Sequence, residues 1–319
     1  MKFLFTLLIW ISLLWAVPFP TALGNCTLQM DTGDEEFRVE LTEHIIQSAQ
    51  QMVEDFGTVN VKDFSVILVA THDEFIRQTR GHSPEWSIAV AMPNSSRIVL
   101  QSPAIIHISM NRFMDVVVHE LNHIYIYRIQ NSATMPAWLM EGMAMRSAGE
   151  FSILHKLRIS QAKWRNQLIP ISRLHSMHTQ TSRSVDLAYG QSAAAVSAME
   201  YFYGQPVFSL IFELMDRSVN PKNEARMIDF ITAFHTVTGD DQLDFQEKYF
   251  AFIRQNYNWL FLLEISSIVF IILPFIVTGG YFYKRYRNRK KLQLWELEEA
   301  LEDLGIAADV YPSKDDLPN

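Results

Sequence analysis

Two dense apolar blocks, Phe3–Val17 and Trp259–Tyr283, bracket a middle of ordinary globular composition, so only the middle can build a water-soluble core. The first block follows Met1-Lys2, meets Pro18 and Pro20, and is trailed by Ala22-Leu23-Gly24. A basic start, an apolar run and small residues at −3 and −1 predict a secretory leader over 1–24, cut before Asn25. The second block holds 25 residues, and a helix of that length, roughly 37 Å, crosses the hydrocarbon core with some tilt. Trp259 marks one interface, and Tyr281 and Tyr283 mark the other. Lys284, Arg285, Arg287, Arg289, Lys290 and Lys291 follow at once, which the positive-inside rule places in the cytoplasm. The predicted layout is a leader at 1–24, an extracytoplasmic domain at 25–257, a transmembrane helix at 258–283 and a cytoplasmic tail at 284–319. That is a type I, single-pass protein of the cell membrane.

A net charge of −8 and the lack of a basic face in the middle exclude a nucleic-acid binder. The single cysteine, Cys26, allows no intrachain disulfide. A domain of more than two hundred residues buries enough apolar area to do without one. Asn25 stands where a lipoprotein signal needs a small residue, which argues against a lipid on Cys26. Asn25-Cys26-Thr27 and Asn94-Ser95-Ser96 match glycosylation acceptors.

Within the middle, the pattern changes near Ser109. Before it, Phe37–Leu41 alternates as a strand does, Ile45–Phe56 has helical spacing, and Phe64–Val69 reads as a buried strand. Trp86–Met92 and Arg97–Gln101 flank the turn Pro93–Ser96 as a hairpin. After it, apolar residues recur at helical spacing over 110–130, 136–149, 188–203, 206–217 and 224–237, and the polar run His175–Val185 reads as a loop. The fold class is α+β, with a small mixed lobe followed by a helical lobe.

His119-Glu120-Leu121-Asn122-His123 lies inside the helical run Arg112–Ile129. Residues four apart project from one helix face, so His119 and His123 can share one metal ion. Glu120, one position on, can approach a water on that ion without ligating it. A third ligand must come from elsewhere. Ile126 and Ile129 stand where a metzincin needs glycine and histidine, so that arrangement is excluded. Glu141 follows His123 after seventeen intervening residues. That length lets one helix end near Asn131 and a second, with Pro136 in its first turn, fold back and present a carboxylate.

His119-Glu120-x-x-His123 followed by Trp138-Leu139-x-Glu141-Gly142-x-Ala144 resembles the peptidase MA-like gluzincins, relatives of thermolysin and the aminopeptidases. Softer matches continue through Leu168-Ile169-Pro170-Ile171, Ala188-Tyr189-Gly190-Gln191-Ser192 and Tyr203-Gly204, covering most of 37–255. The resemblance implies a thermolysin-like catalytic domain that cuts peptides or proteins. It implies zinc held by His119, His123 and Glu141, with Glu120 as general base. It also implies a residue that stabilises the oxyanion, for which Tyr189 is the candidate and His175 and His178 are the alternatives. By the same analogy, Arg97–Gln101 is the edge strand that pairs with substrate. Two positions depart from the pattern: Asn122 is polar within the motif, and Arg146-Ser147 stands where a carboxylate often supports a ligating histidine.

In the tail, Leu294, Leu297, Leu301 and Leu304 share a helical face among acidic residues, which suggests a cytoplasmic partner for 292–305. A rival reading follows from it, in which an inactive ectodomain senses peptides and the tail signals.

Overall fold

The computed structural model describes residues 17–30, 32–81, 87–129, 132–174, 182–217, 228–257 and 261–303. The chain divides into two units, Met1–Trp259 and Leu260–Asn319.

The first unit opens with a five-stranded sheet: β1 (Phe19–Thr21), β2 (Gly24–Gln29), β3 (Phe64–Val69), β4 (Ala89–Met92) and β5 (Arg97–Gln101). The spatial order is β1-β2-β3-β5-β4. The three central strands run parallel, while β1 and β4 lie antiparallel on the two edges. Parallel neighbours need crossover connections. Here α1 (Arg38–Phe56) joins β2 to β3, and α2 (His72–Thr79) follows β3. Val66–Val69 is a continuous buried run, as a strand covered on both faces requires.

Two expectations change in this lobe. Phe37–Leu41 is not a strand: a 3-10 turn over Thr32–Phe37 leads into α1, whose buried stripe is Leu41, Ile45, Ala49, Met52 and Phe56. The apparent alternation is a coincidence, because Val39 is 69% exposed and the helical stripe reaches back to Leu41. The hairpin forms, but its second strand, β5, pairs with β3 and lies inside the sheet. The open edge is therefore β4 rather than Arg97–Gln101. Trp86 lies outside the described residues.

The predicted leader boundary also meets the sheet. Phe19–Thr21 pairs with Gly24–Cys26, so the expected cut before Asn25 falls within a hairpin. Cys26, on β2 between β1 and β3, is fully buried, and burial pushes its thiol up to about 12.

The helical lobe comprises α3 (Met110–Ile126), α4 (Ala137–Ser147), α5 (Ile153–Trp164), α6 (Ser182–Tyr203), α7 (Val207–Arg217), α8 (Phe230–Thr238) and α9 (Gln242–Asn256). Pro136 is the N-cap of α4 rather than part of its first turn. Helix α5 has no clear apolar periodicity because it buries only Ile159, Ser160 and Ala162 while Ile153, Leu154 and Trp164 face solvent. Helix α6 starts at Ser182, so the predicted loop is helical at its end, and His175 and His178 lie outside the described residues.

Helices α4 and α6 meet through small residues. Ala144, Ala188, Ala194, Ala195 and Ala198 have no exposure. A Cβ on Gly142 would lie 2.4 Å from the Ser192 carbonyl oxygen and 2.7 Å from Val196 Cγ2.

In the second unit, α10 (Phe261–Asp303) is one helix of 43 residues. Among the described residues no helix is long and apolar enough to cross a membrane. The described side chains of α10 begin at Phe270.

The α4–α6 contact yields a test. Gly142→Ala forces backbone apart and is expected to cost at least about 1–3 kcal/mol, an overpacking penalty. Chemical denaturation of the purified variant measures it.

Candidate metal centre

Helix α3 is capped by Ser109, whose hydroxyl accepts from the Arg112 amide at 3.3 Å. It buries Phe113, Met114, Val116–Val118, Leu121, Asn122 and Ile124–Ile126, leaving a narrow open stripe at His119, Glu120 and His123. Helix α4 brings Glu141 to that stripe. His119 Nε2 and His123 Nε2 lie 3.5 and 3.9 Å from Glu141 Oε2. One ligating atom from each of the three falls within 4.8 Å of the others, the one such group among the described residues. Donors about 2.1 Å from a common tetrahedral ion stand about 3.4 Å apart. Two nitrogens and a carboxylate at these separations therefore fit one metal ion, with a fourth position left for water or substrate.

A residue that the sequence motifs do not single out completes the support. After α4 the chain turns through Gly149, at φ 66°, and delivers Glu150. Its carboxylate accepts from His119 Nδ1 at 2.9 Å and from the Arg112 guanidinium at 2.7 Å. A carboxylate only accepts, so Nδ1 carries the hydrogen and Nε2 is turned toward Glu141. Burial pushes Glu150 up, but the hydrogen bond from His119 and the charges of His119 and Arg112 outweigh it and hold the carboxyl below its usual range. Burial likewise pushes His119 down. Hydrogen bonds to Glu141 and Glu150, with the charge of Glu120, reverse that and raise it to about 10. The field that keeps a proton on His119 is the field that would attract a cation there.

The two departures from the motif find partners. Asn122, fully buried, donates from Nδ2 to Ser147 Oγ at 2.9 Å and ties α3 to α4. Arg146 reaches Asp55 of α1 at 3.0 Å and Glu200 of α6 at 2.7 Å, with its guanidinium 5.4 Å from the Phe56 ring centroid. Neither position supports His119; Glu150 does.

Glu120 Oε2 accepts from the Ala91 amide at 2.6 Å. Gln101 donates its amide to the Ile88 carbonyl, so residues 88, 90 and 92 face β5, while Ala89 and Ala91 turn their backbone groups to the open edge. The edge of β4 thus borders the site. Tyr189 on α6 is half-buried. Burial raises its phenol, and the charges of Glu141, Glu120 and Glu150 add to that, which places it in the electrostatic reach of all three. The softer motifs also meet: Gln191 exchanges hydrogen bonds with the Ile169 backbone, both at 2.9 Å, and its amide donates to the Tyr249 hydroxyl at 3.0 Å.

The Peptidase MA superfamily model matches residues 45–247. A comparison with curated proteins finds no match. Among solved structures, a variant two-domain M1 zinc metallopeptidase bound to L-arginine is 10% identical, with a TM-score of 0.39, over 75% of this chain and 50% of its own. The M1 zinc metallopeptidase from Deinococcus radiodurans is 13% identical, with a TM-score of 0.34, over 72% of this chain and 47% of its own. The chain spans about half the length of the solved structures it matches.

Removing the carboxylate behind His119 tests the support. Glu150→Gln is expected to weaken affinity for added zinc by about 10–100-fold, the usual cost of losing such a partner. Competition against a chelating dye reads it.

Proposed function

The chain belongs to the Peptidase MA superfamily, and from that premise we propose that it is a membrane-anchored zinc metallopeptidase that hydrolyses peptide bonds. One observation carries the reading: His119, His123 and Glu141 converge as a three-ligand set while Glu120 stands beside them, held by the edge strand rather than ligating. The donor set favours zinc, since structural zinc sites take four protein ligands and catalytic ones three.

Zinc, when bound, would polarise the scissile carbonyl and lower the pKa of a water toward neutrality. Glu120 takes a proton from the attacking water and delivers it to the departing amine nitrogen. The Ala91 amide holds one Glu120 oxygen and so orients the carboxylate. The Tyr189 phenol keeps its proton at neutral pH, because burial and three carboxylates raise it, and it donates to the developing oxyanion. An extended substrate lies along β4, using the outward Ala89 amide and Ala91 carbonyl, the Ala91 amide being held by Glu120. Arg112 and Glu150 hold His119 throughout.

The membrane anchor has separate support. From Phe270 to Tyr283 the apolar side chains of α10 are all exposed, among them Phe270 at 75% and Phe275 at 74%. A helix apolar around its whole circumference needs an apolar surrounding. The basic run from Lys284 follows directly and, by the positive-inside rule, supports reading that end as cytoplasmic. Helix α10 continues through the tail to Asp303, exposing Leu294, Trp295 and Leu297 as a surface for a cytoplasmic partner. A sensor without activity would have no use for an oriented Glu120, so the enzyme is the better reading.

Two variants test the mechanism on a peptide library. Glu120→Gln is expected to keep zinc and lose about 10²–10⁴-fold in kcat. Tyr189→Phe is expected to lose about 10²–10³-fold in kcat with little change in KM. Full activity in Glu120→Gln contradicts the mechanism.

A further inference from the structure

The chain carries a net charge of −8, yet one pocket beside the metal centre is walled by cations. It encloses about 230 Å³ where the end of α3 faces the turn between β4 and β5. Lys62 and Arg128 line it, with Asn60, Ser96 and Tyr127 supplying an amide and two hydroxyls. Each of those five side chains can donate a hydrogen bond. Among the described residues no carboxylate lines the pocket.

We propose that this pocket is a specificity subsite that takes the side-chain carboxylate of an aspartate or glutamate in the substrate; this rests on the reading of the chain as a peptidase.

Its position follows from the two elements that frame the metal centre. On α3, His123 is followed one turn later by Tyr127, about 6 Å along the axis. The Tyr127 amide donates to the His123 carbonyl at 3.1 Å. Tyr127 is 49% exposed, so it extends the open stripe of His119, Glu120 and His123 toward the pocket. On β4, the Ala91 amide donates to Glu120, and the pocket wall at Pro93 stands two residues further along. An extended chain covers that interval in roughly 7 Å, and side chains two apart share a face. An acidic side chain two or three residues from the scissile bond, on the side toward Pro93, therefore reaches the pocket.

Arg128 is fixed in place without being neutralised. Its guanidinium donates to the carbonyls of Leu23 and Lys62 and lies 5.3 Å from the Phe64 ring centroid. Burial pulls it down to about 10, opposed by the charge of Asp63, so it stays cationic at neutral pH. Asp63 is not part of the pocket wall, and its carboxylate accepts from the Asn25 amide at 3.0 Å. A half-buried cation whose bonded acceptors are neutral carbonyls gains from an incoming anion. The Lys62 side chain is exposed and borders the same space.

The test uses the full chain in detergent, loaded with zinc, and peptides blocked at both ends so that carboxylates come only from side chains. Glutamate is scanned through every position of a neutral parent peptide, against glutamine at the same place. Fluorescence anisotropy reads binding to Glu120→Gln, and mass spectrometry reads cleavage by the wild type. One glutamate position is expected to bind about 10-fold tighter than its glutamine counterpart, the weight of one hydrogen bond to a charged group. The cleaved bond is expected two or three residues from it. Lys62→Gln is expected to lose most of the preference, and Lys62→Glu to invert it in favour of lysine at that position. Arg128 is left intact, because its loss would strip two backbone carbonyls of their donor. Equal binding of acidic and neutral peptides, or a preference unchanged in both Lys62 variants, overturns the subsite. Cleavage decides the underlying reading separately: hydrolysis without an acidic preference leaves the peptidase standing, while an acidic preference without hydrolysis leaves an anion site and removes the peptidase.

Discussion

The metal centre depends on how closely α4 can approach α6. Glu141 and Gly142 are adjacent, and they face opposite demands. The glutamate must reach two imidazoles on α3, while the glycine lets the other side of α4 touch the Ser192 backbone. A larger residue there would push α4 away from α6 and shift Glu141 relative to His119 and His123. The alanines of α6 continue the same close contact, and Asn122–Ser147 and Arg146–Asp55–Glu200 fix α4 on its remaining sides. The position of one carboxylate thus rests on packing that extends from α1 to α6.

Charge is the second constraint. Glu120, Glu141 and Glu150 surround His119 and favour positive charge there, and Arg112 pairs with Glu150. Such a cluster is costly without a counter-charge, because like charges in a half-buried site oppose one another. A divalent ion held by His119, His123 and Glu141 would offset that negative charge. In the proposed mechanism the three carboxylates would differ in role, with Glu141 ligating, Glu150 orienting and Glu120 left to move protons.

Much of this is legible in the sequence, and the reasons differ by residue. His119, Glu120 and His123 lie on one helix face, so their spacing alone brings them together. Glu141 follows from a two-helix turn, marked by Pro136 and the interval after His123. Glu150 is invisible in the sequence because its place depends on the left-handed turn at Gly149 and on the tertiary approach of Arg112. The edge strand differs from the expectation because nothing local says which half of a hairpin meets β3. Strand β1 is hidden beneath a plausible leader boundary. Local spacing is a sound guide where one helix carries the information, and misleads where a partner element decides.

In the proposed enzyme His119, His123 and Glu141 together hold one zinc ion. Zinc analysis of the full chain purified without chelator, combined with X-ray absorption at the zinc edge, tests it most directly. The expected result is about one zinc per chain, bound by nitrogen and oxygen donors at roughly 2.0–2.2 Å with no sulfur, two of the donors being imidazoles. A chain that holds no stoichiometric zinc, or one whose zinc coordination is unchanged in His123→Ala, would contradict it.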